Sequence, residues 1–173
     1  MLTGELIYLS PVTEGDLPAL WRWINAREEV VNNAPYRPIS SVEHASWFSG
    51  LAASKDTVIF GIRTVTSDSL VGTCQLTGIH SVHRSAELRI RIGDGDQRGR
   101  GFGREAVDLL LRHGFDDLNL HRVHLEVFAT NARALSTYER CGFRHEGRLR
   151  DAAFLNGGWV DIVIMGILRD EFA

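Results

Sequence analysis

Five glycines and two arginines fall within eleven residues, Gly93-Asp-Gly-Asp-Gln-Arg-Gly-Arg-Gly-Phe-Gly103. Glycines 99, 101 and 103 let backbone N–H groups approach an anion with no Cβ in the way. A helix opening at this point adds the positive end of its dipole. Arg98 and Arg100 can reinforce it with planar, charge-assisted contacts. A pyrophosphate suits such a turn, and the spacing decides which motifs it is not. A kinase-type P-loop ends in Gly-Lys-Ser/Thr, whereas Gly103 is followed by Arg104-Glu105. The dinucleotide fingerprint G-x-G-x-x-G also fails, because Arg104 occupies the third glycine position. The competing reading is a tight turn that only caps a helix.

Other chemistry-bearing residues are more scattered. Asn131 and Tyr138 are seven apart, two helical turns, and so share a face. Glu87 opens a strictly alternating run. His121 and His124 lie on a strand at odd spacing and face opposite sides. His80 and His83 flank a turn with no cysteine or clustered carboxylate nearby, so no metal site is expected. Cys74 and Cys141 make no CxxC or zinc spacing, and reduced thiols are the expectation.

These residues need elements to hold them. Glu5 to Leu9 reads as a strand. Thr13-Glu-Gly-Asp16 and Ser40-Ser-Val-Glu43 are capping-box signals. The first opens a helix carrying Leu17, Leu20, Trp21 and Ile24; the second opens one carrying Ala45, Phe48 and Leu51. Residues 57–65 and 70–79 read as a hairpin across Thr66-Ser-Asp-Ser69. From Glu87 to Ile92, Leu88, Ile90 and Ile92 take one face, and Glu87, Arg89 and Arg91 the other. Phe102 to Phe115 changes to a helical stripe. A strand over 121–128, a helix over 131–141, and two strands around 144–154 and 159–168 complete the order. The result is an α/β sandwich around one mixed, mostly antiparallel sheet of about seven strands. Helices cover both faces, and Glu87 to Phe128 forms a central parallel crossover.

The whole chain, 173 residues with 44% hydrophobic and 24% charged residues, suits a single globular domain spanning 1–173. A formal net charge of −3 gives no general pull toward nucleic acid or anionic membrane. No run approaches 18 apolar residues, and the start lacks the basic and apolar regions of a signal peptide. A cytoplasmic protein is the expectation.

Arg98-Gly-Arg-Gly-Phe-Gly103 matches R/Q-x-x-G-x-G/A, the acyl-CoA signature of the GNAT N-acetyltransferase superfamily. Asn131-Ala-Arg-Ala-Leu-Ser-Thr-Tyr-Glu-Arg-Cys-Gly-Phe143 resembles that superfamily's N-x-x-A-x-x-x-Y-x-x-x-G-F segment at every defined position. Val82-His-Arg-Ser-Ala-Glu87 and Phe154-Leu-Asn-Gly-Gly-Trp-Val-Asp161 add a nearer likeness to ribosomal-protein N-terminal and spermidine acetyltransferases. The resemblance is close from Thr73 to Leu168 and loose before it. One departure stands out: relatives place a proline and an aromatic residue before the turn, where this chain has the longer Gly93-Asp-Gly-Asp-Gln97. Asp94 and Asp96 there would disfavour a polyanion unless they point away.

The resemblance implies an N-acetyltransferase with acetyl-CoA as co-substrate and direct attack by a primary amine in a ternary complex. The acceptor is a small-molecule or peptide amine; a homodimer is compatible with it. The turn from Arg98 through Gly99, Arg100, Gly101 and Phe102 to Gly103 would hold the pyrophosphate. Asn131 would lie on the cofactor face. The backbones of Ile90 and Ile92 would bind pantetheine and the thioester carbonyl. Tyr138 would protonate the departing thiolate, against the alternative of a core tyrosine packing with Leu135. Glu87 would take the amine's proton or position water, against a salt bridge to Arg84, Arg89 or Arg91; His83 is a helper-base candidate. Trp21 to Tyr36 would line the acceptor pocket. Within it, Glu28 and Glu29 either attract a cationic amine or are a solvated helix end. The motifs also admit a donor such as succinyl-CoA, or a non-catalytic acyl-CoA-binding module.

Overall fold

The computed structural model describes residues 1–27 and 36–172. Of the Trp21–Tyr36 segment assigned to the acceptor pocket, residues 28–35, with Glu28 and Glu29 among them, lie outside the described residues. Strands β1 (Leu2–Thr3) and β2 (Ile7–Pro11) precede helix α1 (Leu17–Asn25) and helix α2 (Ser41–Leu51). Strands β3 (Val58–Thr64), β4 (Leu70–His80) and β5 (Ser85–Ile92) follow as a meander. Helix α3 (Phe102–Arg112) crosses to β6 (Arg122–Phe128), and α4 (Ala132–Arg140) leads to the hairpin of β7 (Arg144–Leu155) and β8 (Gly158–Leu168). Among the described residues the sheet has eight strands in the order β1-β2-β3-β4-β5-β6-β8-β7. Among the described strands, only β5 and β6 run parallel as neighbours. The eighth strand is β1, whose two residues pair with Leu9 and Tyr8; it is too short to carry a periodic signal.

Both capping boxes form. Asp16 receives the Thr13 N–H at 2.8 Å, and Ser40 and Glu43 exchange bonds at 2.9 and 3.2 Å. The helices they open follow the apolar spacing only in part: Leu20 of α1 is buried as the spacing suggests, but other positions differ. In α1, Trp23 is buried and Trp21 is 41% exposed, because the Trp23 indole N–H donates to Asp94 while that of Trp21 donates to Ile39 O. In α2 the buried residue is His44, while Ala45 is exposed.

The sheet's two faces differ in kind. Cross-strand partners share a face, so the register groups Phe60, Cys74 and Ile90, and likewise Val58, Leu76 and Leu88. This apolar face packs on Phe102, Ala106, Val107 and Leu110 of α3 in one continuous core. The opposite face carries Thr73, Gln75, Arg89 and Arg91 in the same register. It lies under α1 and α2.

A carboxylate ties α3 to the sheet. Glu105, in its first turn, accepts the backbone N–H groups of Glu5, Leu6 and Ile7 at 2.5, 2.9 and 2.9 Å. Nothing in the sequence pairs residue 105 with residue 5. Glu105→Ala removes the acceptor from all three donors, and water replaces it only at the exposed ones. We expect a loss of about 1–3 kcal/mol, which thermal melts should register as a Tm drop of roughly 3–10 °C. Glu105→Gln should lose less.

Candidate active site

β5 and β6 pair only at Ser85↔Arg122, Ala86↔Val123 and Glu87↔His124. Beyond that point each strand keeps its outer partner, as far as Ile92↔Gly72 and Phe128↔Ile162. The sheet therefore opens as a wedge after Glu87. The Gly93 N–H donates to Val71 O at 2.9 Å. Hydrogen-bonded pairs alternate along an antiparallel ladder, so Arg91–Thr73 and Arg89–Gln75 exchange bonds. The main-chain groups of Leu88, Ile90 and Ile92 consequently face the wedge. The side chains of Ile90 and Ile92 pack against the core.

The glycine turn stands at the end of β5. Gly99 and Gly101 have φ of +77° and +89°, a region that side chains rarely adopt. Gly101 is the N-cap of α3. Gly103 is already helical, and a Cβ there would make only ordinary contact, 3.7 Å from Ile92. The Arg98 guanidinium lies 3.4 Å from the carbonyls of Ile92 and Gly93. Arg100 donates to Gln97 at 2.8 Å and lies 5.0 Å over the Phe102 ring. Asp94 points away from the turn, into α1, where Arg22 and the Trp23 indole bind it at 3.0 and 2.8 Å. Its charge is therefore compensated, whereas Asp96 is exposed.

A cleft of about 740 Å³ opens on the polar face of the sheet, lined among others by Trp23, His44, Thr73, Gln75, Glu87, Arg91 and Tyr138. Tyr138 is half-buried and meets Phe143 edge-on at 5.8 Å. Burial first, and then the neighbouring Cys141, push its phenol up to about 12, so it stays protonated across the physiological range. Glu87 lines the same cleft and is gripped by Arg89 through two bonds of 2.8 and 2.9 Å. Ion pair and cleft-facing carboxylate are thus one residue. Asn131 is the N-cap of α4 and accepts the Ala134 N–H at 3.2 Å. The helix begins one residue after it, so Asn131 serves the helix end as well as the segment before it.

Several cleft residues escaped the sequence reading. His44 is buried against Trp47, with ring centroids 5.1 Å apart, and burial lowers its pKa. Thr73, Gln75 and Arg91 become neighbours only through the β4–β5 register; alternation within each strand was the available signal. His83 instead stacks on His80 at 4.2 Å and is not among the residues that line the cleft. Among the described residues no group of three or more His, Cys, Asp or Glu could hold a metal ion.

A sheet parted between parallel strands, with a glycine turn and helix N-terminus at its mouth, is the site expected of the superfamily that the two motifs resemble. Residues 7–144 match the acetyltransferase (GNAT) domain family. The chain belongs to that family. It superimposes on a Vibrio cholerae spermidine N-acetyltransferase, solved in complex with CoA and spermine, with a TM-score of 0.89 and 30% identity over 97% of this chain and 98% of that one. In sequence, spermidine N(1)-acetyltransferase of Vibrio cholerae is 38% identical over 104 residues, 60% of each chain. Bacillus subtilis YdaF, named for ribosomal N-acetylation, is 32% identical over 104 residues, 60% of this chain and 56% of YdaF. These alignments span less than two thirds of the relatives' own length. Both nearer likenesses read from the sequence are therefore present. No helix among the described residues is long and apolar enough to cross a membrane.

The two turn glycines should separate in a melt. Gly101→Ala forces a side chain to φ +89°, 3.1 Å from Leu6, at a cost of about 1–2 kcal/mol. Gly103→Ala places alanine in a helical turn and should leave Tm unchanged or slightly raised. Equal losses in both variants would refute this account of the turn.

Proposed function

We propose that the chain transfers the acetyl group of acetyl-CoA to the primary amine of a small molecule or peptide, by direct attack in a ternary complex. The observation that carries this reading is the wedge between β5 and β6, with main-chain groups of Ile90 and Ile92 turned into it and the glycine turn at its mouth. Gly99 and Gly101 at positive φ, with Arg98 and Arg100 beside them, suit the pyrophosphate. The pantetheine then lies along β5, where N–H groups can polarise the thioester carbonyl. The substrate names of the relatives support an amine acceptor.

The amine nitrogen, once deprotonated, attacks the carbonyl carbon. The C–S bond breaks as the N–C bond completes, and the sulfur leaves as thiolate. Tyr138, protonated and on the wall of the cleft, is suited to donate to that sulfur. Glu87 has lone pairs beyond the two that hold Arg89. These can hold a water that relays the amine's proton, so the ion pair positions the carboxylate without excluding this role. The products are the N-acetyl amide and free CoA thiol. Thiol release from acetyl-CoA against a panel of amines tests the reaction; no release with any amine would refute it.

Tyr138→Phe keeps the ring and its contact with Phe143 and removes only the hydroxyl. The expected result is kcat reduced by ~10²-fold with the KM for acetyl-CoA little changed. Because burial raises this phenol to about 12, the wild type should show no alkaline fall-off from Tyr138 below about pH 10. Full activity in the Phe variant would leave Tyr138 a core residue.

Glu87→Gln removes the proton acceptor and weakens the grip on Arg89. A catalytic role predicts a rate deficit at neutral pH that shrinks as rising pH frees the amine, with Tm nearly unchanged, since the paired arginine is 60% exposed. A purely structural role predicts a Tm loss of several degrees and an unchanged pH profile. A pH–rate curve and a melt of the same variant decide between them.

A further inference from the structure

The cleft's charges are unequally committed. Glu43 is paired with Arg37 and with the Ser40 backbone. Glu87 is held by Arg89, and Glu126 adds its field to the same arginine. The Arg91 side chain has no ion pair or hydrogen bond among the described residues. It is half-buried and lines the cleft. A cleft built for a polycationic chain should present free carboxylates and avoid a free guanidinium, since an unpaired like charge at short range repels. Among the described residues the cleft leaves one carboxylate, Glu126, without an ion pair, but it also presents the uncompensated guanidinium of Arg91, which a polycation would not favour.

Arg91's surroundings fit an anion. Its cross-strand partner is Thr73, and Gln75 follows on the same face. A hydroxyl and an amide thus flank the guanidinium, and all three line the cleft. Burial, and then the positive field of Arg98, lower the Arg91 pKa. Both effects describe a cation that an incoming negative charge would relieve. Glu87 and Arg91 stand four residues apart on β5, roughly 13 Å between Cα atoms. The cleft floor is therefore bipolar, with a carboxylate at the end where the sheet parts and a guanidinium at the end roofed by Trp23, which packs on Gly93.

We infer that the acceptor is an amine that also carries a carboxylate, and that Arg91, with Thr73 and Gln75, is the subsite that binds this carboxylate. The inference rests on the acetyl-transfer reading above and names the substrate class of that site: an amino acid or a short peptide with a free carboxyl end, in preference to a polyamine. Arg91 acts on selection of the acceptor and takes no part in proton transfer.

Matched pairs test it. Thiol release would be followed with trialanine and trialanine amide, with 4-aminobutyrate and its amide, with alanine and its amide, and with spermidine. At least one free acid should exceed its amide in kcat/KM by about 10–100-fold, the worth of a charge-assisted hydrogen bond. The difference should lie in KM. Arg91→Met keeps the apolar stem and should bring the acid-to-amide ratio near one; Arg91→Lys should restore part of it. Which pair shows the preference separates amino acid from peptide. Three results would overturn the subsite while leaving acetyl transfer standing: acid-to-amide ratios near or below one in the wild type, spermidine outperforming every carboxylate-bearing amine, or a ratio that Arg91→Met does not change. If Arg91→Met raises only the KM for acetyl-CoA, Arg91 serves the donor and the inference fails. Absence of thiol release with every amine would overturn the transfer reading together with this one.

Discussion

The parting of β5 from β6 after Glu87 is the constraint on which the rest of the molecule is organised. Parallel strands joined by a helix normally pair along their length and bury both faces. Here three pairs hold the strands together, and then each follows its other neighbour. Past Glu87, Leu88, Ile90 and Ile92 turn a row of main-chain groups toward a space that no partner strand fills among the described residues. Such groups are costly to leave unpaired, and the wedge is therefore an opening that a bound chain with its own amides can complete. The turn that follows β5 inherits its position from the same divergence, because the strand must end before the helix can cross.

What keeps the wedge in place is a set of polar ties from outside the sheet. Glu105 holds the first turn of α3 against three amides of the N-terminal segment. Asp94 holds the turn against α1 through Arg22 and Trp23. The pair of half-buried Arg63 with buried Asp16, at 2.5 Å, fixes the start of α1 to β3. Each tie joins a helix end to a strand or turn. Together they let the apolar core under α3 remain an uninterrupted hydrophobic layer, and leave the face under α1 and α2 polar enough to hold water and substrate. The division of the sheet into a dry face and a wet one is the physical basis for one protein having both a stable core and a reaction cleft.

Much of this was legible in the chain. Strand alternation, the two capping boxes, the glycine turn and the Asn131–Phe143 motif rest on contacts only a few residues apart, and so local sequence determined them. The parallel crossover followed from the change of period between Glu87 and Phe128. Tyr138 and Glu87 were singled out because a motif carried them. Tertiary structure decided the rest. Trp23 replaced Trp21 on the inner side of α1 because its indole found Asp94, seventy-one residues away. His44 entered the cleft through the packing of α2. The direction of Asp94, the reach of Glu105 and the open position of Arg91 beside Thr73 each depend on register and on which helix lies above which strand. No local pattern encodes those choices, because the energy of a long-range polar contact depends on a partner whose distance the chain sets only when it folds.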